Sequence, residues 1–412
     1  SSKFSPATRW GFFPSGAFAW NAKEESFLKD VSWLSALKLR LSAGVTGQQD
    51  GIGDYVHLAR YNITSNPSYL YNMGNSDYVY PVTPLAYDPT IRWETTTTYN
   101  IGIDYGFFND RLSGSIDAYL ADTKDLLNSV QVPMGSNFGN KLTTNVGSLR
   151  NKGLEFSISA IPVQKPGLSV QVGFNGTFQN TVFTKLNPTE DDSYYIEVGN
   201  ISKGTGGYLS RQMTGYAPYT YYLYQQKYDS TGHPIQNEFV DRDGDGSITE
   251  NDRYMTGKSP SPKFFYGLNM KVTYMNWDFG LNGHGAAGTW VFNDFASANS
   301  TASLDLNSGA LPNQARLVKE TGFTAPNSAR QWYSDYFLEN ASFFRLDDLN
   351  FGYTFRGIGR WETDVRLAFG IQNVFVLTGY SGMDPEVTSE TGIDNIVWPR
   401  PRTYSLRVNV NF

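Results

Sequence analysis

Apolar and polar residues alternate along much of the chain with a period of two. The C-terminal segment shows this clearly, because every second position is apolar: Tyr404, Leu406, Val408, Val410 and Phe412. Successive side chains of a β-strand point to opposite faces, so the segment predicts a strand with one apolar and one polar face. The same alternation occurs at 37–46, 99–106, 154–160, 168–175, 268–273 and 277–282.

The connections between these predicted strands alternate between short and long. Trp277 follows the strand at 268–273 almost at once, which predicts a tight hairpin, and 107–111 joins two other strands in the same way. Polar, aromatic-rich segments at about 48–92, 181–262 and 288–343 are much longer. We count about twelve to fourteen strands of about ten residues, a length that crosses a bilayer when tilted.

A transmembrane β-barrel and a soluble β-sandwich or propeller both produce this alternation. Three features favour the barrel: glycine and small polar residues fill the second face, aromatic residues crowd the strand ends, and the connections alternate in length. We interpret the aromatic last residue, Phe412, as a signal for barrel assembly. The prediction is an all-β, antiparallel transmembrane barrel, with the three long segments as extracellular loops.

The composition narrows the class of protein. The chain has 412 residues, 15% aromatic and 17% charged, with a mean hydropathy of −0.40. No run of about 18 apolar residues occurs, which excludes a helical membrane protein. The net charge of −6 comes without a basic block, so we expect no nucleic-acid partner. The absence of cysteine excludes thiol chemistry.

The acidic segment 241–252 has the spacing of an EF-hand calcium loop. Its oxygen-bearing side chains suit a hard cation such as Ca²⁺, and the candidate ligands are Asp241, Asp243, Asp245, Ser247, Thr249 and Asp252. The last of these stands where glutamate is usual, and no flanking helices are predicted. The alternative is an acidic turn at a loop tip without metal. In either case we expect a structural role, the stiffening of an extracellular loop.

Four aromatic residues are candidates for binding a substrate by stacking on sugar rings or peptide side chains. They are Tyr221, Tyr222, Tyr224 and Trp290. An aromatic girdle or the packing of a loop would also explain them.

The sequence offers no arrangement typical of an enzyme. Asp347 and Asp348 are adjacent acids, but neighbouring residues of a strand point to opposite faces, which argues against paired-carboxylate catalysis. His284 is expected to face a polar lumen. No catalytic triad or phosphate-binding glycine loop is present, so we expect neither enzymatic activity nor an organic cofactor.

An ordered set of motifs extends along the chain. The stretches are 9–15, 37–53, 92–97, 123–127, 145–147, 151–155, the acidic loop at Asp241, 344–346, 372–375, 380–386 and 399–404. Together they resemble the SusC-like branch of the TonB-dependent outer-membrane transporters.

The resemblance implies a function that the residues alone do not show. Members of this family carry an N-terminal plug that contacts TonB, followed by a barrel of about 22 strands. Residues 1–412 resemble the later part of that barrel, so we expect the plug and first strands to be absent here. The chain begins with Ser1 and without a signal sequence, consistent with a start inside a longer protein or with a start after processing.

The implied activity is the energy-coupled import of large nutrients across the outer membrane of a Gram-negative, Bacteroidota-type bacterium. Oligosaccharides are the first expectation and oligopeptides the alternative. The implied partners are TonB, acting through the absent plug, a SusD-like lipoprotein that lids the barrel, and outer-membrane lipids. A passive porin or adhesin barrel, and a secreted β-rich enzyme acting on glycans, remain as competing functions.

Overall fold

A computed structural model of the protein describes residues 1–63, 70–74, 78–80, 82–132, 135, 137–139, 141–186, 193–203, 207–301, 313, 315–324, 327–359, 363–387 and 389–411. Its largest element is a sheet of eleven antiparallel strands. In chain order these are β1 (Ser15–Asn21), β2 (Leu34–Gln48), β3 (Glu94–Phe107), β4 (Leu112–Lys124), β5 (Ser148–Lys165), β6 (Leu168–Lys185), β7 (Phe264–Tyr274), β8 (Trp277–Ala287), β9 (Phe343–Ile358), β10 (Thr363–Thr378) and β11 (Thr403–Asn411). Each strand pairs with its sequence neighbours, so the sheet is a continuous meander.

The sheet confirms the all-β antiparallel prediction, but its strands are fewer and longer than expected. β5 and β6 have 18 residues each, because backbone pairing continues through polar stretches such as 148–153, where alternation no longer marks a strand. Within the described residues, β1 and β11 each have a neighbour on one side only. Phe412, the predicted assembly signal, lies outside the described residues.

The two faces of the sheet differ in chemistry. Residues that pair directly across strands share a face. On one face, Leu39, Ile103 and Ile116 form a row across β2, β3 and β4, and the two isoleucines are 43% and 46% exposed. On the other face, Arg40 contacts the carboxylates of Asp104 (2.7 Å) and Asp117 (2.9 Å). One face is therefore apolar and exposed and the other polar and charged, as predicted.

Short strands and helices occupy the connections. Strands are found at Arg60–Ile63, Tyr71–Asn72, Tyr78–Val79, Val82–Leu85, Leu127–Gln131, Lys141–Asn145, Tyr195–Asn200, Tyr208–Met213, Thr220–Tyr224, Gln226–Tyr228, Pro234–Phe239, Arg253–Met255, Trp290–Asn293, Leu338–Asn340 and Ile393–Asp394. The helices are α1 (Asp294–Ala298) and α2 (Arg316–Thr321), with 3₁₀ turns at Ala22–Glu24, Glu250–Asp252, Gln331–Tyr333 and Asp335–Phe337. In the described parts of the chain, no helix combines the length and apolar character that a membrane crossing requires.

The largest buried core lies in the connections and not in the sheet. Residues from the β6–β7, β8–β9 and β10–β11 connections share one apolar cluster, made of Ile201, Leu209, Tyr221, Leu223, Phe292, Phe323, Phe337, Leu338 and Ile393. We call the described residues of 186–263, 288–342 and 379–402 the loop assembly. Two of the three long segments predicted from the sequence therefore pack on each other, together with the last connection of the chain.

Candidate functional site

The acidic segment 241–252 is held in shape by hydrogen bonds from its own backbone. Carboxylate oxygens of Asp241, Asp243 and Asp252 lie within 4.8 Å of one another, so three of the predicted calcium ligands converge. Asp241 accepts hydrogen bonds from the N–H groups of Gly244 (2.6 Å) and Gly246 (2.9 Å). Both glycines have left-handed backbone conformations (φ 77° and 82°), which other residues adopt only with strain.

Asp252 closes this segment. Its buried carboxylate accepts hydrogen bonds from the N–H groups of Thr249 (2.7 Å) and Arg242 (2.6 Å), and these bonds lower the pKa of Asp252. Asp245 lies outside the converging group and accepts from the N–H of Ser247 (2.8 Å). The three converging carboxylates form an oxygen-only set, which has the chemistry of a calcium site.

The candidate stacking residues lie within the loop assembly. Three tyrosines are 0%, 9% and 3% exposed, namely Tyr221, Tyr222 and Tyr224. The hydroxyl of Tyr221 donates to the carbonyl oxygens of Trp290 (3.0 Å) and Gly392 (2.9 Å). The ring of Trp290 lies under the ammonium of Lys258, 3.8 Å from the ring centre. These residues pack the loops, and Tyr224 also lines a cavity in the loop assembly.

A site that the sequence did not reveal lies at a bulge in β9. Between Leu346 and Asp348, which both pair with β8, β9 has one extra residue, Asp347. The bulge shifts the alternation, so Arg345 now lies on the polar face, paired with His284. Asp347 contacts His284 on this same face, which Asp348 also faces. The expectation that Asp347 and Asp348 point to opposite faces is therefore wrong at this bulge.

Arg345 is the centre of this site, and its side chain is only 2% exposed. Its Nη2 contacts Asp384 (2.6 Å), its Nε contacts Glu386 (2.6 Å), and its Nη1 donates to the side-chain oxygen of Asn373 (2.7 Å). Asp384 and Glu386 belong to the β10–β11 connection. The guanidinium therefore fastens that connection to the polar face of the sheet.

His284 binds two carboxylates at once. Its Nδ1 lies 2.6 Å from Asp347 and its Nε2 lies 3.1 Å from Glu386. A neutral imidazole has only one N–H, so both contacts are hydrogen bonds only when the ring carries two protons. The geometry therefore fits an imidazolium ion, in agreement with the expectation that His284 faces a polar environment.

Arg400 completes the cluster through its contact with Glu386 (3.2 Å). We call the six ionisable side chains the wall network: His284, Arg345, Asp347, Asp384, Glu386 and Arg400. With His284 protonated, the network has three positive and three negative groups. Burial raises the pKa of Glu386, but the hydrogen bond from His284 and the charges of Arg400 and Arg345 outweigh it, so the pKa is lower than usual.

The wall network joins motifs that looked independent in the sequence. Four of the motifs that carry the resemblance meet in it. Motif 344–346 contains Arg345, and motif 380–386 contains its partners Asp384 and Glu386. Motif 372–375 supplies Asn373, which contacts Arg345, and motif 399–404 supplies Arg400, which contacts Glu386. A signal was therefore present in the motifs, but their sequence separation concealed that they meet.

Comparisons with known proteins agree on one family. The family described as "TonB dependent receptor-like, beta-barrel" matches residues 1–374. The chain is 40% identical to the TonB-dependent receptor SusC of Bacteroides thetaiotaomicron and 30% identical to the TonB-dependent receptor P3 of Formosa agariphila, with all of the chain covered in both cases. Among solved structures, one described as the RagAB peptide transporter matches the whole chain with a TM-score of 0.81 and 22% identity.

The chain spans less than half the length of these relatives. It covers 41% of SusC, 43% of P3 and 44% of the matching RagAB chain.

Proposed function

The chain belongs to the TonB-dependent receptor-like β-barrel family, and on that basis we propose that it is part of a barrel that imports large nutrients across the outer membrane. The match to SusC confirms the resemblance to the SusC-like branch. The observation that carries the proposal is the eleven-stranded meander, because its exposed apolar face suits lipid and its charged face suits an aqueous lumen.

The remaining parts of the transporter follow from the same proposal. A sheet edge inside lipid leaves backbone groups without partners, so β1 and β11 require further strands to close the barrel. In the proposed protein, those strands and a plug belong to the same polypeptide, TonB acts on the plug, and a SusD-like lipoprotein covers the loop side. The organism would be a Gram-negative, Bacteroidota-type bacterium, as are the sources of the matching receptors.

Oligosaccharides are the proposed substrates and oligopeptides are the alternative. The resemblance to the SusC-like branch implies the first, and the chain is 40% identical to SusC. The fold similarity to a structure described as a peptide transporter favours the second. We assign no catalytic residue, so the imported molecule should be recovered chemically unchanged.

Calcium in the acidic segment is part of the proposal, with a structural role. Asp241, Asp243 and Asp252 would hold the ion and keep the loop rigid, since a site filled by protein oxygens has no open position for chemistry. Adding Ca²⁺ to metal-free full-length protein should slow proteolysis near 241–252, and Asp243→Asn should reduce this protection. Equal protection by Mg²⁺ would argue against a dedicated calcium site.

Uptake by intact cells tests the transport function. A strain that lacks its own copy of the full-length gene is complemented with the wild-type gene or with a variant whose TonB-contacting segment is deleted. Labelled oligosaccharides and peptides are offered separately, and uptake should require both the gene and the TonB contact. Uptake that persists without the TonB contact would indicate a passive porin and overturn the proposal.

A further inference from the structure

A cavity of about 350 Å³ lies in the loop assembly beside the end of the acidic segment. Its lining includes Gly207, Tyr208, Thr249, Arg253, Arg330 and Tyr333. The volume is at the lower end of the usual range for ligand pockets, which suits one sugar or one amino-acid unit and not a longer chain.

Arg253 in this cavity is a partly buried cation that has no carboxylate partner among the described residues. Its Nε and Nη2 donate to the backbone carbonyl of Tyr222 (3.1 and 2.6 Å), and Nη2 also donates to that of Tyr208 (2.5 Å). Within the described residues, no acidic side chain lies within ion-pair distance of Arg253, and its Nη1 makes no hydrogen bond. Burial lowers the pKa of Arg253, but a guanidinium remains charged at neutral pH.

Aromatic rings fix the orientation of this guanidinium. Arg253 contacts the rings of Tyr222 (4.5 Å) and Tyr333 (4.7 Å), measured to the ring centres. Arg211 also contacts the ring of Tyr222 (3.5 Å) and that of Tyr195 (3.6 Å). Two arginines and three tyrosines therefore form one cluster of cation–π contacts, which restricts the movement of the Arg253 guanidinium.

The charges around the cavity favour an anion with a single negative charge. Glu197 also lines the cavity, but it is paired with Arg211 (3.2 Å). Glu250 and Arg330, both exposed, belong to the same lining with opposite charges, so the positive charge of Arg253 is in excess. Because a partly buried charge without a partner is costly, an anionic group placed at Nη1 would be stabilised, while Glu250 would oppose a dianion such as phosphate.

We propose that this cavity binds a carboxylate-bearing unit of the transported molecule, either a uronic acid or the free C-terminus of a peptide. The proposal rests on the transport function above for the origin of its ligand. Arg253 would contact the carboxylate through Nη1, and Arg330 would contribute from the rim. The cavity would thus select substrates by one charged unit, with neutral units bound elsewhere.

Calorimetry on the full-length transporter in detergent tests the proposal with two matched pairs of probes. Galacturonic acid is compared with galactose, and a short peptide with a free C-terminus is compared with the same peptide amidated. We expect at least tenfold tighter binding of the acid in one pair, and that pair identifies the source of the carboxylate. Equal binding within both pairs, or no binding of either acid, would overturn the proposal.

Variants connect the binding to the cavity. Arg253→Gln should remove the preference for the acid, and Arg330→Gln should weaken it about threefold with a smaller effect on the loop core, because Arg330 is exposed. Arg316→Gln, which alters an exposed arginine outside the cavity, should leave binding unchanged. If Arg330→Gln has no effect and Arg253→Gln only reduces co-purification of the lid lipoprotein, the cavity is a protein contact and the ligand proposal fails.

A transport assay distinguishes failure of the cavity proposal from failure of the proposed transport function. Uptake of a neutral substrate by the wild-type transporter, measured beside the binding experiments, reports on the transport function alone. Normal neutral uptake together with no acid preference would remove the cavity proposal alone, whereas absence of all TonB-dependent uptake would remove the transport proposal itself.

Discussion

The sheet and the loop assembly are built for different surroundings. In the sheet, large apolar side chains such as Ile103 (43% exposed) and Leu406 (76% exposed) point outward. In the loop assembly, Leu223 and Phe337 are 0% and 1% exposed and pack in a shared core. The sheet thus resembles a structure that uses lipid as its apolar partner, while the loops carry an apolar core of their own, as a water-soluble domain does.

Charged groups show the same contrast. The pair of Arg366 and Asp278 on the polar face of the sheet leaves both side chains 29% exposed. Arg345, which joins the sheet to the loop assembly, is 2% exposed and contacts two carboxylates. Ion pairs in contact with water contribute little, whereas removing one partner of a buried group leaves an uncompensated charge. The junction between the two regions should therefore be the most sensitive point.

The largest effect is expected from Arg345→Met. Asp384 and Glu386 would lose their contacts with Arg345, at a cost of about 3–5 kcal/mol. Hydrogen exchange of full-length protein should show the 379–402 connection opening while the sheet stays protected. The control, Arg366→Met, removes a partly exposed pair and should cost about 1 kcal/mol or less. Similar losses in both variants would contradict the contrast.

The next effect is expected in the core of the loop assembly. Leu223→Ala removes a fully buried side chain and should destabilise the loops by about 2–5 kcal/mol. Proteolysis of the loops should accelerate, while the heat-dependent gel shift of the barrel stays unchanged. Leu406→Ala, at an exposed position of β11, serves as the control and should leave loop proteolysis unaltered.

A charge on the apolar face tests whether that face contacts lipid. Ile103→Arg should reduce barrel stability by about 2–4 kcal/mol in bilayers if the residue lies near the midplane. Asn100→Arg, on the polar face of the same strand, should change it by less than about 1 kcal/mol. Refolding into vesicles at increasing urea concentration measures both, and equal effects would argue against a lipid-facing surface.

The smallest effect is expected from acid. The pKa of Glu386 is lower in the folded protein than its ordinary value of 4.5, so its contribution to stability is complete above that value. The contribution is lost as the pH falls through the lowered pKa. Exchange of the 379–402 connection should therefore increase below about pH 4.5, and Glu386→Gln should flatten this dependence. If exchange of this connection instead increased as the pH rises, the pH dependence would have the opposite sign and the prediction would be wrong.

The sequence predicted the sheet better than the loops because alternation is a local property. Leu39 and Arg40 already show the apolar and polar faces of β2 without knowledge of any other strand. The loop core depends on contacts such as that between Tyr221 and Gly392, which are 171 residues apart. No local pattern distinguishes a tyrosine that packs from one that binds a sugar, so the burial of Tyr221 could not be predicted.

The candidate calcium ligands and the wall network differ in the same way. Asp241 and Asp243 share one short segment, and their spacing predicted that they converge. Arg345 and Asp384 are 39 residues apart and belong to separate motifs. Their contact also requires the bulge at Asp347, for which the sequence gives no turn or glycine signal.

Because Asp347 is an extra residue in β9, it determines to which face of the sheet each preceding side chain of the strand points. Exchanging its side chain would alter only a contact with His284, but deleting the residue would remove the bulge from the pairing with β8 and rotate 343–346 by half a period relative to that strand. Arg345 would then face the apolar side, where lipid is proposed to lie. For this strand, the number of residues is therefore as strict a constraint as their identity. Homologous chains could vary the chemistry at this position more safely than the length.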